Sequence, residues 1–292
     1  MEAMSKSLHC LSMKLTEEWF RNPALERFSD EMRNSPRLVD NNLYHFCIFS
    51  DNVLATSVVI NSTVSSADHP QQLVFHVVTD EVNYWAMTTW FLMNDFRGCT
   101  VEIRSIKDGE MNFKDLRFES RLNHLRFYIP QLLPLLEKVL FLDDDIVVQK
   151  DLTPLYTVEL HGNIMGAFDP QACGWAFGMN IIDLIAWKKV NVTAKYHYWQ
   201  EQNADRMLWK AGTLSPGLLT FYGLIEPLDR RWHVLGLGYD KDIDDRLIES
   251  AAVVHYNGNM KPWLELAIGR YKHLWERYIN FRHPSITGCI MH

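Results

Sequence analysis

The chain has 292 residues, 47% of them hydrophobic and 12% aromatic, which suits one large globular domain or one with a small appendage. A formal net charge of −7 leaves no basic footprint and argues against a nucleic-acid partner. No run of roughly 18 apolar residues is present to span a membrane, and Met1–Ser12 lacks an apolar core of signal-peptide length.

Residues 1–40 are polar, broken by Pro23 and Pro36, and read as an arm lying on the rest of the chain. Within them Thr16–Phe28 reads as a short helix with Thr16 as its cap. Leu43–Phe49 is an apolar strand ending at Ser50-Asp51-Asn52, and Val53–Ser65 has the spacing of a buried helix. Asp68-His69-Pro70 is a turn, and Leu73–Val78 is a second strand stopped by Thr79-Asp80. Asn83–Met93 reads as a helix and Thr100–Ile106 alternates as a strand. Strand–helix–strand–helix–strand in this order means parallel pairing with crossover helices, hence an α/β fold with a mostly parallel sheet flanked by helices. The polar clusters after the first two strands then share one rim of that sheet. Lys107–Phe118 is charged and unpatterned and reads as a loop; Arg121–Tyr128 resumes helical spacing and is limited by Pro130 and Pro134.

Val139–Val148 carries the most information. Four apolar residues run into Asp143-Asp144-Asp145, and three more apolar residues follow. The run reads as a strand buried on both faces, with three mutually repelling carboxylates at its carboxyl end, where open α/β sheets bind ligands. Alternation puts Asp143 and Asp145 on one side and Asp144 on the other. The acids are either a solvated turn or half the shell of a hard divalent cation. Asp151–Leu155 reads as a turn and Thr157–Ala167 holds a further strand. Near the C-terminus a small apolar strand delivers His255, followed by Gly258, Lys261 and Pro262-Trp263. His255 offers a neutral nitrogen to a metal, Gly258 allows close backbone approach to a ligand, and Lys261 is a point charge suited to phosphate. Taken singly, His255 reads first as a satisfied core histidine, and the plain reading of Lys261 is a solvated side chain. Together, H-x-x-G-x-x-K-P-W after a strand is far more specific.

The five cysteines, Cys10, Cys47, Cys99, Cys173 and Cys289, show no CxxC pair and no zinc pattern, and their odd number prevents complete pairing within the chain. Two sequons, Asn61-Ser62-Thr63 and Asn191-Val192-Thr193, matter only if the chain enters the secretory pathway. No linker separates residues 41–292 into two domains.

Five runs resemble the family 8 retaining glycosyltransferases, and within them the plant galacturonosyltransferases of pectin homogalacturonan synthesis. They are Leu122–Tyr128, Phe141–Thr153, Ala172–Asn180, Trp232–Tyr239 and His255–Leu264, and the resemblance extends from about Leu8 to Cys289. It implies a GT-A nucleotide-sugar fold over 41–292. By resemblance Asp143 and Asp145 are the outer members of a D-x-D motif, and His255 is the third protein ligand of a manganese ion. Mixed oxygen and imidazole ligands suit that ion. Gly258 and Lys261 would meet the diphosphate, Ser50, Asp51 and Asn52 the uridine, and Asp144 the sugar or ribose. Arg126 would contact the phosphates or pair with a uronic carboxylate. Asn180 and Asp205 are the candidates beside the reacting sugar; Asp205 reads equally as half of a surface ion pair, which for Arg126 is the lesser reading.

The implied reaction is retaining, manganese-dependent transfer of galacturonic acid from UDP-galacturonate to the 4-OH of an oligogalacturonide acceptor, by front-face attack or through a covalent intermediate. Alternatives are another UDP-sugar donor, or a non-catalytic subunit. A hetero-complex with a membrane-anchored homologue and placement in the Golgi lumen come with the resemblance. Family members carry longer insertions where this chain has only Lys107–Ser120, and before Phe168-Asp169-Pro170; loops of that kind often bind substrate.

Overall fold

A computed structural model describes residues 6–106, 121–168, 175–210 and 212–289. Two helices come first, α1 (Lys6–Arg21) and α2 (Ala24–Arg33). They are followed by β1 (Tyr44–Phe49), α3 (Val53–Ser66), β2 (Leu73–Thr79), α4 (Glu81–Met93) and β3 (Thr100–Ser105). The loop expected at Lys107–Phe118 lies outside the described residues. The chain resumes as α5 (Arg121–His124), a 3-10 turn (Leu125–Tyr128) and α6 (Ile129–Leu132). Next are β4 (Lys138–Leu142), β5 (Ile146–Val148), β6 (Met165–Phe168), β7 (Met179–Asp183), α7 (Leu184–Val190) and α8 (Val192–Gln202). The last elements are α9 (Leu214–Thr220), β8 (Ile225–Leu228), β9 (His233–Val234), α10 (Asp245–Ser250), β10 (Val253–His255), α11 (Gly269–Glu276) and α12 (Pro284–Thr287).

Seven strands form one sheet in the order β3-β2-β1-β4-β7-β6-β8. The half made of β3, β2, β1 and β4 is parallel, as its crossover helices require, and β7 enters antiparallel to β4. Alternate residues of each central strand serve opposite faces. Phe46, Ile48, Leu140 and Leu142 pack in one core cluster, Cys47, Phe49, Val139 and Phe141 in the other. Burial on both faces explains why these strands read as unbroken apolar runs.

Two expectations are corrected. Thr16 is not a cap: it lies inside α1, which starts ten residues earlier because Leu8, Leu11 and Leu15 form a buried stripe at helical spacing. Leu11 and Leu15 join the main core, and each fully buried leucine contributes about 1.5–3 kcal/mol. The helix stops at Arg21 and a new one begins after Pro23, which cannot continue the first. Second, Val139–Val148 is not one strand. The chain leaves the large sheet at Leu142, turns through the three acids, and Ile146–Val148 becomes the edge of a separate sheet of order β5-β10-β9. Of Thr157–Ala167 only the end is strand; His161 and Gly162, with φ of 49° and 82°, turn the chain before it.

A disulfide joins Cys10 on α1 to Cys289, with Cα atoms 5.6 Å apart across 279 residues of chain. Cys47 and Cys99 are free thiols, both pushed up by burial, Cys99 to about 12. No helix among the described residues is long and apolar enough to cross a membrane.

Candidate active site

The site forms where the two sheets meet. β10 runs antiparallel to β5 with His255 opposite Ile146, and the Tyr256 N–H donates to the Asp145 carbonyl at 2.9 Å. Strand pairing thus brings an imidazole to a carboxylate 110 residues away, and His255 Nε2 lies 2.9 Å from Asp145 Oδ1. From the large sheet, the Asp143 N–H donates to the Gly178 carbonyl at 2.9 Å, just ahead of β7. One ligand atom each from Asp143, Asp145 and His255 lies within 4.8 Å of the others. The set of two carboxylate oxygens and one imidazole nitrogen could hold a divalent metal cation.

Positive charge surrounds these acids. Lys261 Nζ sits 2.5 Å from Asp145 Oδ2. Arg126 Nη2 donates to Asp143 Oδ1 at 3.1 Å, while its guanidinium lies 4.9 Å from the centre of the Phe141 ring. Arg126 is therefore no surface ion pair; it is buried beside the acids. Burial opposes ionisation of Asp145, but His255 and Lys261 overcome it and hold the carboxyl well below the usual range. Asp143 is raised, first by desolvation, which Arg126 offsets in part, and then by the charge of Asp145. Burial raises Asp144 to about 7, with Asp145 adding to the effect. Its Oδ2 accepts from the Ser50 hydroxyl at 2.6 Å, a partner separate from His255, Lys261 and Arg126.

The remaining candidates fall at different depths. Ser50 and Asn52 are buried at the end of β1, and Asp51 stands exposed on the rim between them. The Asn52 side chain caps α3, accepting from the N–H groups of Leu54 and Ala55 at 3.1 Å each. Asn180 is buried on β7 opposite Phe141 and donates to the Ala176 carbonyl at 2.8 Å. Asp205 is exposed on the turn after α8, where its Oδ1 accepts from the Met207 N–H at 3.1 Å. Gly258 has φ of 104°, and a Cβ there would stand 2.9 Å from the Gly238 carbonyl. The turn before Lys261 needs glycine on both counts.

Three contributors escaped the reading of single residues. A Cβ at Gly178 would lie 2.2 Å from His255 Cε1, so a bare backbone is what makes room for the imidazole. A Cβ at Gly238 would lie 2.4 Å from the Asn257 carbonyl, so that glycine lets the loop after β9 cross the loop after β10. His233, fully buried on β9, stacks on His255 with ring centres 5.0 Å apart, and its Nε2 meets His255 Nδ1 at 3.0 Å. Burial pushes His233 well down, so it is a neutral partner whose hydrogen bond orients the ring of His255. Gly178, His233 and Gly238 all lie in runs that carry the family resemblance; their roles depend on contacts no sequence spacing displays.

The fold and this site define a glycosyltransferase of the GT-A type. The galactosyltransferase LgtC, solved with donor and acceptor sugar analogues, superposes with a TM-score of 0.62 at 19% identity, over 84% of this chain and all of that one. The bifunctional glycosyltransferase WbbM gives 0.67 at 18% identity, over 85% of this chain and 51% of that one. Residues 10–267 match the glycosyl transferase family 8 profile, and the chain belongs to that family. It is 57% identical to hexosyltransferase GAUT11 of Arabidopsis thaliana over 99% of its length, and 46% identical to probable galacturonosyltransferase 10 of the same plant over its full length. The chain spans 65% and 66% of those two relatives. The first alignment runs over 348 positions against 292 residues here, so GAUT11 carries at least 56 residues (348 − 292) without a counterpart in this chain.

Proposed function

We propose that this chain transfers galacturonic acid, with retention, from UDP-galacturonate to the 4-OH of an oligogalacturonide, in a manganese-dependent reaction. The observation that carries the reading is the convergence of Asp143, Asp145 and His255 beside two cations, the half-buried Lys261 and the buried Arg126. Names of relatives at 40–46% identity supply the sugar. Asp143, Asp145 and His255 would hold the metal, which supplies Lewis-acid charge to the departing diphosphate. Lys261, on the turn opened by Gly258, is placed for the phosphates, where charge grows as the glycosidic bond breaks. Arg126 stands on the other side of Asp143, free to exchange that carboxylate for a phosphate or a uronate. Ser50, Asp51 and Asn52 form the rim for the uridine, and Asp144, held by Ser50, faces the ribose or sugar.

Asn180, two residues after the Gly178 whose carbonyl accepts from the Asp143 N–H, is the candidate beside the sugar, with Asp205 the other. An amide is a poor nucleophile, which favours front-face attack, with the leaving phosphate accepting the proton of the incoming hydroxyl. Residues 41–292 form the catalytic domain in this reading, and residues 1–40 an arm fastened to it. The Cys10–Cys289 bond supports an oxidising lumen such as the Golgi as the place of work. A membrane-anchored homologue is the proposed partner.

Calorimetric titration of UDP with and without manganese tests the site. Binding that is unchanged by the metal would remove the carrying observation's meaning and favour a non-catalytic subunit. Radiolabel transfer from a panel of UDP-sugars to oligogalacturonides tests the donor, and equal transfer from UDP-galactose would defeat the choice of galacturonate.

A further inference from the structure

The two Asn-x-Ser/Thr sequons fold into opposite environments. Asn61 is in the middle of α3, where Ser62 and Thr63 are buried and the Asn61 amide donates to the Tyr278 carbonyl at 2.8 Å. An oligosaccharide on that nitrogen would stand against the backbone of residue 278 and force α3 off the core. Asn191 is the residue between α7 and α8, exposed, with φ and ψ both 55°. That left-handed turn suits asparagine, and it turns the side chain out at a helix–helix corner. The backbone alone does the structural work there: the Asn191 N–H donates to the Lys188 carbonyl at 3.2 Å, and its carbonyl accepts from Ala194 at 3.0 Å. Lys188, Lys189 and Val190 before it are exposed as well, which leaves open solvent around the amide. Thr193 is buried and donates to the Phe127 carbonyl at 2.7 Å, so the sequon's third residue is fixed by packing.

We infer that Asn191 is an N-glycosylation site of this protein and that Asn61 is not, an inference that rests on the lumenal placement proposed above. The donor is an oligosaccharide on a polyprenyl diphosphate, delivered by the host's transferase while the chain is still extended. Asn191 Nδ2 loses one proton and bonds to the anomeric carbon of the first N-acetylhexosamine. The bond from that carbon to the diphosphate oxygen breaks, and the lipid diphosphate leaves with the pair of electrons. Folding then keeps the glycan at Asn191 in water, beside the half-exposed Val190.

The chain is directed through a eukaryotic secretory pathway, recovered with its Cys10–Cys289 bond formed, and digested with a peptide N-glycosidase. The expected result is one mobility step in the parent protein, still present in Asn61→Gln and gone in Asn191→Asp. Aspartate tolerates the same left-handed turn, and mass spectrometry of the parent's own 191-containing peptide reads occupancy without any variant. No step in the parent, or a step that survives Asn191→Asp, overturns the inference. UDP titration of the deglycosylated protein is a separate measurement, so loss of the glycan site and loss of the transferase reading are distinguishable.

Discussion

Gly178 is the sharpest test at the level of single residues. Gly178→Ala sets a methyl group 2.2 Å from His255 Cε1, and the ring must leave the two aspartates. The expected outcome is a folded protein whose UDP affinity no longer responds to manganese; an unchanged response in calorimetry would show that the ring is dispensable. Asp145→Ala should likewise abolish the manganese response, since it deletes the one carboxylate bonded to both His255 and Lys261. Lys261→Ala should weaken UDP by about 1.5–3 kcal/mol, as for a hydrogen bond to a charged group, and identical affinity would contradict a phosphate contact. Asp143, Asp145 and His255 were legible as types: acids at a strand end, and a histidine before a glycine turn. Their meeting was carried by the family resemblance alone, because it depends on β5 pairing with β10, a three-residue strand that period-two counting cannot distinguish from the end of β4. His233 was illegible for the same reason, lying on a two-residue strand.

Among elements, α3 carries the double reading of Asn52. The side chain read as part of a uridine rim spends its oxygen on capping the helix. Asn52→Ala should therefore cost about 1 kcal/mol of stability in urea unfolding, and Asn52→Asp should keep it; equal losses in the two would mean the cap is not what the residue provides. Strands β1, β2 and β3 of the parallel half were legible almost to the residue. They are short apolar runs with polar stops, and Asp80 and Asn52 mark helix starts as caps do. The region after β4 was not. Strands β6 to β9 are two to five residues long, and their pairing is antiparallel or parallel by turns, with no crossover helix of regular spacing to announce it.

At the level of the whole molecule, buried histidines contribute to the acid limit, His45 and His124 among them. His45 meets the Asp40 carbonyl at 2.8 Å and His76 at 3.0 Å, and His124 meets the Tyr196 hydroxyl at 2.6 Å. Burial lowers both His45 and His124 to about 4. Unfolded, each titrates near 6.5, so the unfolded chain takes up protons first as pH falls. Their contribution is complete above 6.5 and is lost as pH drops towards about 4, by up to about 3 kcal/mol each. Thermal melting should hold above pH 6.5 and fall below it, and a flat profile down to pH 4 would contradict the assignment.

The Cys10–Cys289 bond turns nearly all of the chain into a covalent ring. A protease that cuts once in an exposed loop opens the ring without releasing a fragment, so the nicked protein migrates as one species until a thiol is added. The same closure makes the ends interchangeable with any surface loop. A permuted chain, with residues 10 and 289 bridged by a short peptide and new termini cut elsewhere, should keep the acids and His255 in register.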